Sequence, residues 1–250
     1  MGLLEELKII QEVIDETKQT IPHFELMLVI TGLKIVGHSH IGKMIEHIQI
    51  GKKAYPNLIA GFDMVNEEEF TPGIADFMPQ ILAAQNDKYS STYQMPTFCH
   101  AGETHDKNIT NLHDAILLNT KRVGHGFQLF LFPNLVQEYI DKDICIEVCP
   151  LSNMVLGYTL DLRTHPIRDL MYGGLQFSIS SDDPCFFNYT GVTLDYAYAT
   201  LAWEFTIRDL KKISLNGITY SSIDQKKKDH LLKSVFPAKW AEFIAYVNSL

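Results

Sequence analysis

The sequence predicts an α/β fold: an incomplete (β/α) barrel of the TIM type, with about six of the eight strands that closure needs. Three observations predict it. Six short apolar runs alternate with helix-sized spacers, which is the pattern of a parallel sheet. Polar residues gather where these runs end, at His40, Asp63, His100, His125, Glu147 and Asp182. In a barrel, as in an open doubly wound sheet, functional groups sit at the C-terminal ends of the strands. Finally, no GxGxxG or P-loop pattern follows any run, so the nucleotide-binding form of the open sheet gains little support and the barrel is preferred.

Each element follows from its residues. Leu3, Leu4, Leu7, Ile10, Val13 and Ile14 recur at helical spacing and predict an amphipathic helix over 3–18. The run LMLVITGLKIV predicts a first strand over 26–36. A short helix over about 41–53 leads to a second strand, Leu58-Ile-Ala-Gly-Phe-Asp63. A helix over about 74–86 precedes Pro96-Thr-Phe-Cys-His100, and one over about 108–118 precedes Arg122-Val-Gly-His125. Helices over about 133–142 and 165–172 lead to Ile144-Cys-Ile-Glu-Val-Cys149 and Leu175-Gln-Phe-Ser-Ile-Ser180. After Asp183 the chain turns mostly helical. No repeat or low-complexity stretch intervenes, and residues 1–250 read as one domain.

Composition narrows the function. The 21 basic and 30 acidic side chains give a net charge of −9, the wrong sign for a general nucleic-acid binder. A hydrophobic share of 46% with 20% charged residues is that of an ordinary globular chain. The longest apolar run, 26–36, contains Lys34 and is too short to span a bilayer. Glu5 and Glu6 stand where a signal peptide needs basic and then apolar residues. Four cysteines form no CxxC pair, and Cys145 and Cys149 read as small core residues. His105, His113, His165 and His230 read as surface or capping residues, and Trp203 and Trp240 as packing. The runs Glu67–Glu69 and Lys226–Lys228 read as solvated faces.

Three clusters can carry chemistry. His100 closes an apolar run and Glu103 follows three residues later, so a metal ligand and a proton carrier can share one rim; a satisfied polar loop accounts for them equally well. Gly124-His125-Gly126 frees an imidazole of neighbouring bulk, although alone a tight turn is the simpler account. Asp182 and Asp183 follow an apolar run with diverging side chains, so one can bind metal and the other substrate; the competing account is a loop cap. Together, on three strand ends, they form a set for hydrolytic attack on a C–N centre. Zinc takes His nitrogen and carboxylate oxygen and leaves a place for water. Water so placed becomes a nucleophile near neutral pH. A His can accept its proton and a Glu can deliver one to the substrate.

The segments His100-Ala-Gly-Glu-Thr104, Lys121-Arg-Val-Gly-His-Gly-Phe127, Ile146-Glu-Val-Cys-Pro-Leu-Ser-Asn153 and Ile179-Ser-Ser-Asp-Asp-Pro184 resemble the adenosine deaminase family. Ala60–Val65, Leu162-Arg-Thr-His-Pro166 and Tyr220-Ser-Ser222 look most like its secreted branch, the adenosine deaminase-like growth factors of adenosine deaminase 2 type. The resemblance runs from about residue 20 to the C-terminus. It implies a metal-dependent hydrolase barrel that uses Zn2+ to convert adenosine or 2′-deoxyadenosine to inosine and ammonia. By the same resemblance His100 and Asp182 are zinc ligands, Glu103 is the acid that protonates purine N1, and His125 is the base that orients the attacking water. Asp183 contacts purine and water, and His40 matches a substrate-contacting His. Asn66 stands where the family has a Gly whose backbone N–H meets purine N3; it keeps the N–H but brings a side chain with the bulk to crowd the purine.

The chain departs from the family at its front. The family's first strand ends in His-x-His and supplies two further zinc ligands, and nothing before residue 26 resembles it. His38-Ser-His40 matches that motif in letters only, after what aligns with the third strand, and is not read as a zinc pair. The chain is therefore expected to be N-terminally truncated relative to the family, without its first two strands, its dimerisation extension or its signal peptide. Secretion, and a homodimer as one open assembly, follow from the resemblance alone. Two further readings stand beside the deaminase: a non-catalytic extracellular binding or growth-factor-like protein that keeps the scaffold, and an amidohydrolase for another aminated purine. The second of these draws on Asn66 and on Asp106, where the branch usually has Trp. Zinc content separates the binding reading from both enzymes.

Overall fold

The computed structural model describes residues 2–86 and 95–250. In chain order the elements are α1 (Leu3–Thr20), β1 (Leu28–Leu33), α2 (His38–Ala54), β2 (Ile59–Val65), α3 (Ile74–Gln85), β3 (Phe98–Ala101), α4 (Asn111–Leu117), β4 (Arg122–His125), α5 (Pro133–Asp141), β5 (Cys145–Val148), α6 (Pro150–Val155), α7 (Ile167–Tyr172) and β6 (Gln176–Ile179). Four helices follow: α8 (Thr193–Trp203), α9 (Ile207–Thr219), α10 (Gln225–His230) and α11 (Phe236–Val247). Local chemistry explains several boundaries. Glu5 and Glu6 in the first turn of α1 and Lys18 in its last complement the helix dipole. Pro133 opens α5, where its missing N–H costs nothing. Thr206 and Asp209 close a reciprocal capping box on α9.

All six expected strands form, but the first is shorter than its apolar run. β1 ends at Leu33, and Lys34–Val36 make one 3-10 turn. Gly37 then takes a left-handed backbone at φ +89°, and α2 starts at His38. The letters His38-Ser-His40 therefore lie on the first turn of a helix, three residues before the expected start. Similarly, the region expected to be helical from 108 starts at Asn111, because Asp106 Oδ1 accepts both the backbone and side-chain N–H of Asn108 and holds a turn there.

Every strand pair is parallel. β1 pairs with β2, and β3, β4, β5 and β6 pair in sequence order. One bridge, Phe62 to Thr97, joins the two sheets, with the Phe62 N–H donating to the Pro96 carbonyl at 2.9 Å. Among the described residues the strands thus run in chain order, each separated from the next by helix, and make six of the eight that a closed barrel uses. Among the described residues neither the outer edge of β1 nor that of β6 has a strand partner. Gly61 permits the close approach at the seam: a Cβ there would lie 2.2 Å from the Pro96 oxygen. One hydrophobic cluster extends from Leu7 and Ile14 on α1, through Phe62, Val123, Ile146 and Phe177 on the strands, to Trp203 and Ile213 on the late helices. β2 is buried on both faces except at Val65, as strands of parallel sheets are.

Candidate active site

The C-terminal ends of β3, β4 and β6 converge. His100, in β3, is held twice by Asp63 of β2: its backbone N–H donates to Asp63 Oδ1 at 3.0 Å and its Nδ1 lies 2.6 Å from Oδ2. Asp63 is itself fixed by the Met64 N–H at 2.6 Å. Burial pulls the His100 pKa down, but the charge and hydrogen bond of Asp63 outweigh it and raise the imidazole to about 9. Because Nδ1 faces Asp63, Nε2 is left for the site. A carboxylate on the far nitrogen of a ligand His fixes the ring and raises its basicity.

His125 ends β4 in a left-handed backbone, φ +65°, followed by Gly126 at φ +57°. This double turn sets the imidazole against His100, with ring centroids 5.0 Å apart. His125 is 2% exposed, and burial, with the positive charge of His100, holds it well below the ordinary His pKa, hence neutral. Its Nδ1 lies 3.3 Å from Glu103 Oε1 and 3.4 Å from the Asn153 amide, and its Nε2 lies 3.9 Å from Asp182 Oδ2. Burial raises Glu103 to about 8, with His100 opposing and Asp182, Glu68 and Asp183 adding to the shift. Asp182, after β6, also has a left-handed backbone at φ +55°. Strained conformations of this kind gather at sites that a rigid scaffold over-determines.

His100, His125 and Asp182 can each offer one ligand atom, and these atoms all lie within 4.8 Å of one another. Imidazole and carboxylate are donor types that suit zinc; with His125 kept for the water, His100 and Asp182 supply two of the three protein ligands usual at a catalytic zinc. The expected ligands His100 and Asp182 are both in this group, and His125, expected as a base, stands with them. Asp183 is adjacent, its pKa raised by partial burial and then by Asp182. Asn66, at φ +135°, turns its side-chain oxygen to the Ile35 N–H at 3.2 Å. That bond ties it to the turn after β1. His40 lies on the first turn of α2, where its Nε2 is buried without a hydrogen-bond partner among the described residues. His38 stands apart from the metal group: it bonds to Gln80 at 2.9 Å and packs on Phe77.

Several residues depart from their sequence reading. His165, expected on the surface, is 4% exposed. Its Nδ1 accepts the Ile167 N–H, and its Nε2 faces Asn153 Oδ1 at 3.2 Å, so it backs the amide that faces His125. Asn153 lay within a motif, but nothing in its spacing showed this contact. Glu147, grouped with the strand-end polar residues, turns instead to Arg122, the first residue of β4. Arg122 also donates to the Tyr220 carbonyl and Ser222 Oγ, both at 2.9 Å, which gives Tyr220-Ser-Ser222 a latching role. In the run Glu67–Glu69, expected to be solvated, Glu68 is 2% exposed and Glu69 binds the Thr104 hydroxyl at 2.6 Å. Cys145 and Cys149 are buried and unpaired, as core residues should be.

The profile of the adenosine deaminase family matches residues 3–238. Adenosine deaminase 2 of Dictyostelium discoideum is 39% identical over 204 residues, covering 82% of this chain and 37% of its own length. Adenosine deaminase 2 of Homo sapiens is 34% identical over 254 residues, covering 96% of this chain and 48% of its own. The chain thus spans about half, or less, of the length of these relatives. Among solved structures, an amidohydrolase from Burkholderia ambifaria with bound Zn superimposes at a TM-score of 0.80 and 20% identity, covering all of this chain and 66% of the other. An adenine deaminase from Arthrobacter aurescens does so at 0.70 and 21%, covering 88% and 62%. These distant structures carry the barrel fold, whereas the profile match and the closer sequences carry the kinship: the chain belongs to the adenosine deaminase family.

Proposed function

We propose that this chain carries the catalytic face of a zinc-dependent hydrolytic deaminase that converts adenosine or 2′-deoxyadenosine to inosine or 2′-deoxyinosine and ammonia. The observation that carries the reading is the convergence of His100, His125 and Asp182 within 4.8 Å, with Glu103 beside His125. His100 and Asp182 would hold the metal, with Asp63 orienting the His100 ring. When bound, zinc supplies Lewis acidity that makes water a nucleophile near neutral pH. The remaining steps belong to side chains. Glu103, with a pKa near 8, stays protonated at neutral pH and gives its proton to purine N1. That transfer makes C6 electrophilic. His125, kept neutral by burial, orients the water and takes up its proton. The C6–O bond forms; His125 then returns its proton to the amino group, the C6–N bond breaks and ammonia leaves, while the proton of the new C6 hydroxyl passes to the Glu103 carboxylate and restores it. Asp183 contacts purine and water, the Asn66 backbone N–H meets purine N3, and His40 contacts the substrate from α2.

The test is loss of adenosine absorbance with the purified chain and added zinc. Conversion is expected, falling by about 100-fold or more in Glu103→Gln, the scale of a lost general acid. A folded chain that binds zinc yet leaves adenosine intact removes adenosine as substrate. Among the described residues the outer edges of β1 and β6 have no strand partner, which favours a second reading, a scaffold that binds without catalysis. That reading needs no zinc, so metal content after dialysis separates the two.

A further inference from the structure

Glu68 lies in the middle of the acidic run that follows β2, yet water does not reach it. Its carboxylate is spent on two contacts. Oε1 accepts the backbone N–H of Glu103 at 2.7 Å, and Oε2 accepts the side-chain N–H of Asn111 at 2.6 Å. Asn111, fully buried at the start of α4, accepts the N–H of Ile74, the first residue of α3, at 2.8 Å. One carboxylate thus ties the segment after β3 to the start of two helices. A second tie lies one residue further along, where the buried Thr104 hydroxyl donates to Glu69. A third is the Gly102 carbonyl, which accepts the Gln128 N–H at 2.8 Å.

Burying a carboxylate is costly unless charge and hydrogen bonds compensate it. A compensating charge is Lys34, in the turn after β1, which is 1% exposed and whose ammonium has no hydrogen-bond partner among the described residues. Glu68 is the carboxylate that acts most strongly on it. No ion pair joins the two among the described residues, so Glu68 spends its directional bonds on Glu103 and Asn111. An apolar side chain would fill the same space at less cost, but it could not hold a backbone N–H. From these contacts we infer that Glu68 is a positioning residue: it fixes the backbone of Glu103 so that the Glu103 carboxyl is presented beside His125. The kinetic consequence rests on the deaminase reading above; the ordering of the Glu103 segment does not.

Hydrogen exchange of the peptide over 101–107 and steady-state kinetics on adenosine, both with the zinc-loaded full chain, test this. Glu68→Gln keeps an acceptor for the Glu103 N–H but sets an amide N–H2 against that of Asn111. We expect faster exchange at the Glu103 amide, about tenfold, and a kcat lower by about 10- to 100-fold with KM little changed. Glu68→Gln combined with Asn111→Asp reverses the polarity of the contact, keeps an acceptor for Ile74, and is expected to restore both readouts. If Glu68→Gln fails to fold, Glu68→Asp, which withdraws the carboxylate by one methylene, is read in the same way. Unchanged exchange at Glu103 overturns the inference, as does a loss that falls on KM, or a double variant that folds without recovering. If the wild type does not act on adenosine, the deaminase reading fails, and the exchange measurement still decides whether Glu68 holds Glu103.

Discussion

At neutral pH an exposed histidine exchanges its proton with little effect on a fold, but His165 is sealed between Phe127 and Trp203, with ring centroids 5.1 Å away on either side. Burial lowers its pKa to about 3. The folded chain therefore keeps His165 neutral at acidities where the unfolded chain protonates it. The sign follows: stability is fully present above the unfolded His pKa of about 6.5, and is lost as the pH falls from there toward about 3. One such group steepens the decline by at most about 1.4 kcal/mol per pH unit. His165→Gln is expected to be less stable at pH 7 but to lose stability less steeply between pH 6.5 and 4, read from urea midpoints at each pH. A variant slope equal to the wild type would show that His165 does not titrate on unfolding. The same scale exposes the limit of residue type as a guide. His165 and Glu68 both read as surface groups because charge and polarity describe the side chain alone, whereas their roles depend on partners 12 and 35 residues away.

At the scale of elements, the strands were legible and the helix starts less so. Apolar runs bounded by polar residues fix where a buried parallel strand must lie, because both of its faces need apolar cover. A helix start depends on one backbone angle, such as that of Gly37, and spacing does not register it. The seam between β2 and β3 likewise hangs on a single residue. Gly61→Ala would drive a Cβ to 2.2 Å from a backbone oxygen and is expected to destabilise the fold by about 1–3 kcal/mol. Gly42, inside α2 with nothing within 4 Å of an added Cβ, provides the contrast. Gly42→Ala is expected to stabilise by about 0.5–1 kcal/mol through helix propensity. Urea unfolding of both variants checks the pair, and a harmless Gly61→Ala would mean the seam is looser than its spacing indicates.

For the whole molecule, the candidate metal group is made from β3, β4 and β6, so an ion bound there links strand ends far apart in sequence. Such binding exists only in the folded chain and must stabilise it by mass action. Zinc at about 100 times its Kd is expected to contribute about 2.7 kcal/mol, a rise in Tm of about 5–10 °C for a domain of this size. Asp182→Asn is expected to abolish most of that rise without preventing folding. Scanning calorimetry with zinc and with chelator measures it. A folded chain whose Tm ignores zinc would remove the metal from the proposed function.

The sequence by itself determined the alternation of strand and helix, the placing of His100, His125 and Asp182 at strand ends, and the resemblance that names the chemistry. Each is legible because it depends on local order: apolar periodicity, residue type, and the spacing of letters within a motif. The tertiary structure alone decided that Asp63 fixes His100, that Asn153 and His165 stand behind His125, and that Glu68 holds Glu103. These depend on which distant segments meet, and pairing across a fold is set by packing of the whole core, which no single stretch of sequence carries.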